Sequence, residues 1–454
     1  MDLDDYLRFD AVGLAALVRA GDVSAEEARL AATTRHRDTN PAINAVVEWY
    51  DDPVPPRTLD GPLAGVPFLR KDFGATEAGR AVEMGSRLAA GLRAATTSEY
   101  FERLLDAGVQ VLGRTTVPEF AQHGTTESAA CGQTRNPLDV STSSGGSSGG
   151  AASAVRAGVV PIAHASDAAG SIRIPAAVTG LIGLKPSRGL LPIPEDDWRG
   201  LVVEFVLARS VRDAEASLAA LGVAPAAPSP GSLRVALSLG HWAGLAIEPA
   251  VRAAVESVAE RLDALGHRIE PIECPVAYER LMSTWFPLFG GGVADAVARV
   301  AALTGRPVDG DHLEPNTLEL LDRVAALGPE EPAAARRTAA AIEIDLARSL
   351  DGFDAFLTPT LDRAVIPLGR MAGDAPMDSY LADGDEWFDR LYAANVTGWA
   401  ALSIPAHPPI PAADGPGLPI GAQFMARPGG EADLLRIARD LLGDAIVPAV
   451  EPGP

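Results

Sequence analysis

The sequence predicts an α/β fold, and three observations carry that reading. In the first half of this 454-residue chain, the strand-like V-P-F-L-R (66–70) and GVQVLGRT (108–115) alternate with helical stretches. A small-residue helix, AASAVRAG (151–158), runs straight into VVPIAHA (159–165), which reads as a buried strand. Further on, LRVALSL, PAVRAAVESVAERLDALG and HRIEPIE form a strand-helix-strand pattern of the kind that crosses over between neighbouring strands.

Taken in order, residues 11–50 read as helices, with Ser24 and Glu27 forming an S-x-x-E capping box. GPLAGVPFLRKDFG (61–74) carries a short strand ending at Lys71. STSSGGSSGG (141–150) has a linker's composition, but a buried strand and a second glycine turn in SDAAGSIRIPAAVTGLIGLKPSRG (166–189) follow at once, which argues against a linker. APAAPSPGS (224–232), rich in Pro and Ala, is the better linker candidate. Residues 275–350 read as mostly helical, DAFLTPTL (354–361) and LPIGAQFMA (418–426) as returning strands, and EADLLRIARDLLG (431–443) as a terminal helix.

Composition excludes several classes of function. With 47% hydrophobic and 22% charged residues the chain can bury a large core, so it is neither disordered nor fibrous. Its formal net charge of -22 repels phosphate, which disfavours nucleic-acid binding. No uninterrupted apolar run approaches the roughly 18 residues needed to cross a bilayer, and MDLDDYLRFD is acidic where a signal peptide is basic. A cytoplasmic protein without membrane contact is expected. Two distant cysteines, Cys131 and Cys274, and seven scattered histidines supply neither a disulfide framework nor a metal motif, so no metal and no cofactor are expected.

Lysine is nearly absent: only Lys71 and Lys185 occur among 38 basic residues. A lysine kept where arginine is otherwise preferred can offer what arginine cannot, a proton it is able to lose. Three serine-based schemes could use the residues around these lysines. The S-x-x-K scheme fails, because Phe68 and Ile182 stand three residues before the lysines. Gly145 to Gly149 spell the G-x-S-x-G elbow, but NPLDVSTSS before it is turn-like rather than an apolar strand. The third scheme joins a lysine, a relay serine and a nucleophilic serine: a neutral amine in a dry pocket takes the proton of an attacking hydroxyl through a second hydroxyl. Lys71, Ser147 and Ser171 supply those parts.

GGSSGG (145–150), D-x-x-G-S-I-R-I-P-A (167–176), GLIGLKPSRG (180–189) and GPLAGVPFLRKD (61–72) together resemble the amidase signature family. NPAINAVV (40–47), NVTGWAALSIP (395–405) and LPIGAQF (418–424) extend the likeness over nearly the whole chain. The resemblance implies an α/β architecture with a large twisted mixed β-sheet covered on both sides by α-helices. It implies one domain over residues 1–454, made of an N-terminal helical layer (1–60), a catalytic core (61–223), a substrate-side region (224–350), and returning strands with a C-terminal helix (351–454).

Carried over residue by residue, the resemblance puts the base on Lys71, the relay, reached by a cis peptide, on Ser147, and the nucleophile on Ser171. The N–H groups of Ala168, Ala169, Gly170 and Ser171 become the oxyanion donors. The family usually has glycine at 168 and 169, and alanine resists positive φ, so the shape of this turn is the point to check.

Asp167 and Arg173 are expected to brace the turn, and Lys185 to be structural. Thr142, Ser143, Ser144 and above all Ser148 are expected to support the relay. His164 reads as a satisfied core histidine, and Cys131, Trp399 and Phe424 either line a pocket or simply pack. The implied function is amide hydrolysis through an acyl-enzyme. The likeness leans to hydrolases of cyclic nylon oligomers, so the substrate is a small linear or cyclic amide, or a carbamate. The alternatives are the glutaminase subunit of a transamidating complex, or an amidase-like binding protein with an impaired site. Oligomeric state is not legible in the sequence.

Overall fold

The computed structural model describes residues 1–193, 197–224, 227–412 and 415–453. Eleven strands form its main sheet: β1 (Val46–Val54), β2 (Pro67–Lys71), β3 (Gln110–Thr115), β4 (Ile162–Asp167), β5 (Ile182–Lys185), β6 (Val203–Ala208), β7 (Arg234–Leu237), β8 (Arg268–Pro271), β9 (Ala355–Pro359), β10 (Ala400–Ala412) and β11 (Gly415–Ala426). Their spatial order is β1-β3-β2-β4-β6-β5-β10-β11-β9-β7-β8. The sheet is mixed: β2 runs parallel to β3 and β4, β7 runs parallel to β8 and β9, and the pairs between these two groups are antiparallel.

Strand periodicity divides the apolar residues between two cores, because successive side chains leave a strand on opposite faces. Val235, Leu357, Leu402 and Phe424 join one cluster, whereas their neighbours Ala236, Phe356, Ala401 and Met425 join the other. Helices Ala11–Ala20, Ala25–Ile43, Gly149–Arg156, Pro249–Ala264 and Glu431–Leu442 cover the first face. Tyr278–Thr304, Glu331–Ser349 and Tyr392–Thr397 cover the second.

The expected crossover unit is β7, helix Pro249–Ala264 and β8, and it pairs in parallel within the main sheet. The expectation of helices throughout 11–50 stops at Ile43: VVEWY opens strand β1, whose β-branched and aromatic residues pair antiparallel with β3. In the linker candidate, residues 225 and 226 lie outside the described residues, and Ser229 donates through its Oγ to Asp433 Oδ2 at 2.8 Å. Helix Tyr278–Thr304 is long and apolar enough by composition to span a bilayer, with a mean hydropathy of 1.3 over its most apolar window, of which 56% is buried here inside the protein. Interrupted by Asp295 and Arg299, it escapes a search for unbroken apolar runs.

Candidate active site

Three segments converge at the ends of the central strands. β2 delivers Lys71 at its last residue, wholly buried. The turn before helix Gly149–Arg156 delivers Ser147 and Ser148, and the Gly146–Ser147 peptide is cis. The turn between β4 and helix Arg173–Thr179 delivers Ser171, which is 8% exposed.

The lysine amine lies among hydroxyls. Its Nζ is 2.8 Å from Ser147 Oγ, 2.8 Å from Ser148 Oγ and 2.9 Å from Ser166 Oγ. Burial penalises the ammonium and lowers the Lys71 pKa to about 7, against the upward pull of Asp167 and Glu204. A buried amine ringed by hydroxyls, with no carboxylate in contact among the described residues, is suited to taking and returning a proton near neutrality.

Ser148 touches the amine directly, like Ser147, and its N–H donates to the Ser171 carbonyl at 3.3 Å, tying the two serine turns together. No hydrogen bond joins the Ser147 and Ser171 hydroxyls among the described residues; the link between the turns runs through backbone. Thr142, Ser143 and Ser144 do not reach the amine. Thr142 Oγ1 donates to the Asp139 carbonyl, Ser143 Oγ accepts from Gly145 N–H, and Ser144 Oγ donates to the Thr134 carbonyl, so they hold the turn's shape. The segment ahead of the glycines includes a short strand, Asp139–Ser143, paired with Arg135–Asn136 outside the main sheet.

The nucleophile turn is organised around one carboxylate. Asp167 accepts from Gly170 N–H (2.7 Å), Ile172 N–H (3.2 Å), Arg173 Nε and Nη2 (3.0 Å each) and Asn395 Nδ2 (2.9 Å). Burial pushes its pKa upward, but Arg173 and these donors outweigh that and hold it well below the carboxylate range. The concern over Ala168 and Ala169 is resolved by where the left-handed residue falls: Gly170 takes it, at φ 112°, while neither alanine has positive φ. The expected oxyanion set is corrected at Gly170, whose N–H is aimed at Asp167 Oδ1. The N–H groups of Ala168, Ala169 and Ser171 make no turn, cap or side-chain hydrogen bond among the described residues.

Other expectations fall elsewhere. Lys185 is buried, donates to the Pro186 carbonyl at 2.8 Å, and is lowered by burial to about 7. Cys131, proposed as lining, sits half-buried in the loop of the Glu127–Ser128/Gly132–Gln133 hairpin. Trp399 is buried against Arg427, 6.0 Å from its ring, and Phe424 lies in the core of the other sheet face. No hydrogen bond or ring contact links these three to the hydroxyl cluster among the described residues. His164 is not the satisfied histidine expected: its Nδ1 accepts from Lys71 N–H at 3.2 Å, but its Nε2 has no hydrogen-bond partner among the described residues.

Sequence reasoning missed Ser166, Thr126 and Asn395. Ser166 could have been found from strand alternation, two residues after His164. Thr126, which donates to the Gly145 carbonyl at 2.9 Å and accepts from Gly149 N–H at 3.1 Å, carries no local signal.

Residues 39–435 match the Amidase family. The chain is 32% identical to 6-aminohexanoate-cyclic-dimer hydrolase of Paenarthrobacter ureafaciens over 473 aligned residues, covering 96% of this chain and 94% of that protein. It is 34% identical to a putative amidase, AmiC, of Mycobacterium tuberculosis, covering 97% and 95%. The solved structure of 6-aminohexanoate cyclic dimer hydrolase complexed with substrate is similar at a TM-score of 0.86 and 32% identity, over 96% of this chain and 97% of that one. Matched along most of its length in sequence and in fold, the chain belongs to the amidase signature family, hydrolases that act on non-peptide C–N bonds.

Proposed function

We propose that this enzyme cleaves a small aliphatic amide, linear or cyclic, through an acyl-enzyme on Ser171, with Ser147 as proton relay and Lys71 as base. One observation carries the reading: a wholly buried amine, lowered to about 7, contacts Ser147 at 2.8 Å. Lys71 takes the Ser147 proton while Ser147 takes that of Ser171, whose oxygen adds to the substrate carbonyl carbon. The N–H groups of Ala168, Ala169 and Ser171 face the oxyanion, as preorganised donors do in acyl transfer. The proton returns through Ser147 to the leaving nitrogen, and water entering by the same relay releases the acid. A carbamate reacts by the same attack, and the likeness to the cyclic-dimer hydrolase supports aliphatic amides as the first substrates to test.

A fluorophosphonate probe with peptide mapping tests the assignment. Label on Ser171 that disappears in Lys71→Ala supports it. Label on Ser147 or Ser148 supports the elbow scheme instead, and an unlabelled native protein makes the chain a binder. Mass detection of products from a panel of aliphatic amides, anilides, carbamates and glutamine then fixes the substrate class.

A further inference from the structure

Behind the amine lies a second buried pair that the relay does not use. Glu204 on β6 is 1% exposed, and neither of its carboxylate oxygens has a hydrogen-bond partner among the described residues. An unpartnered buried carboxylate is costly, so its presence in a tightly packed site calls for a cause. Strand register supplies its position: Glu204 stands directly opposite Ser166, the hydroxyl 2.9 Å from Lys71 Nζ, and Val206 opposite His164. Because His164 Nδ1 accepts the Lys71 N–H, the proton of the neutral ring sits on Nε2, which faces Glu204 Oε1 at 3.5 Å. Gly74, at φ 88°, closes the pocket from above: a Cβ there would come within 2.3 Å of Glu204 Oε1.

The groups around Lys71 are few. Asp167 is covered by Arg173, Asn395 and two backbone N–H groups. On its own strand, Arg70 donates to backbone carbonyls, and Asp72, next in sequence, pairs with Arg114 at 2.7 Å. His164 is held neutral by burial, and Tyr100, whose ring lies 5.3 Å from His164, keeps its phenol proton for the same reason. Among the described residues, Glu204 is therefore the carboxylate near the amine that no cation covers.

We infer that Glu204, set by His164, is a positioning residue for Lys71, its charge steadying the ammonium that forms each time the relay delivers a proton. This rests on Lys71 being the base. The pair does for a lysine what a buried aspartate does for a catalytic histidine: it never touches substrate, but it favours the charged form of the base as the nucleophile attacks.

The chain's two lysines make the test direct. In protein carrying ¹³Cε-lysine, the signal absent from Lys71→Met reports Lys71, and its titration is compared with the acid limb of kcat/KM. In Glu204→Gln both midpoints should move about one unit to lower pH and kcat should fall several-fold, as expected for losing a neighbouring opposite charge. Glu204→Asp, which keeps the charge, should leave both midpoints within a few tenths of a unit of wild type. Midpoints that stay put or rise in a folded Glu204→Gln overturn the inference while leaving the base intact. A Lys71 signal that does not titrate between pH 5 and 10 overturns both. Should the glutamine variant fail to fold, ¹³Cδ-glutamate spectra of the wild type decide: a Glu204 carboxylate ionised by pH 8 supports the inference, and one still protonated at pH 9 ends it.

Discussion

Replacing Lys71 by methionine should abolish turnover and also change the pH dependence of stability in a way fixed by the site. The folded lysine releases its proton near pH 7, and the unfolded one near its ordinary 10.5. Below pH 7 both states hold the proton, and the native state carries the whole cost of an ammonium in a dry pocket, about 5 kcal/mol. Between pH 7 and 10.5 the unfolded chain binds the extra proton, so wild-type stability rises with pH through that window. Methionine removes this dependence but leaves Ser147, Ser148 and Ser166 each short of a partner, at about 1 kcal/mol apiece. The variant should thus be about 1 kcal/mol more stable than wild type at pH 7, and its advantage should fall by about 2 kcal/mol by pH 9. Urea unfolding of both proteins at pH 6, 7, 8 and 9 measures this; Lys185 is common to both and cancels. A stability difference that does not vary with pH, or that grows in the variant's favour above pH 7, would refute a lysine whose proton is loosened by burial.

Further expectations follow from the same geometry. With Lys71 required in its neutral form, kcat/KM for an amide substrate should fall about tenfold per pH unit below pH 7, and a profile flat to pH 5 contradicts the base. Ser166→Ala removes one of three hydroxyls from the amine but no group that meets substrate, so steady-state kinetics should show kcat lowered about five- to tenfold with KM unchanged. Asp167→Asn leaves the buried Arg173 guanidinium without its carboxylate and should cost about 3 to 5 kcal/mol in urea unfolding. Retention of wild-type stability there would mean that the turn is held by other groups.

The sequence by itself determined the family of this protein and its candidate chemistry, because the amine and the two turns are short, contiguous segments whose residue types carry their own meaning. A lone lysine at the end of V-P-F-L-R-K, glycine turns around Ser147 and Ser171, and Asp167 six residues before Arg173 are all visible in one dimension. So were the strand-helix-strand unit at 233–273 and the buried strand before Asp167. What the sequence left ambiguous were features whose meaning depends on a distant partner. Val46–Val54 follows a helix closed by Asn44 in the left-handed region, and it becomes the edge strand of the sheet only by pairing antiparallel with β3. Cys131 and Trp399 carry side chains suited to a pocket, but their meaning depends on distant neighbours: a hairpin loop for Cys131 and Arg427 for Trp399.

Only the tertiary structure decided which groups surround Lys71. Glu204 lies 133 positions from it in sequence, and reaches it because antiparallel register sets Glu204 against Ser166. Gly170 rather than either alanine takes the left-handed position, so alanine at 168 and 169 leaves the turn intact. Hydrogen-bond direction, burial and strand register are properties of the packed chain. The proton affinity of Lys71 depends on all three, which is why the residue could be named from the sequence while its loosened proton could be read only from the fold.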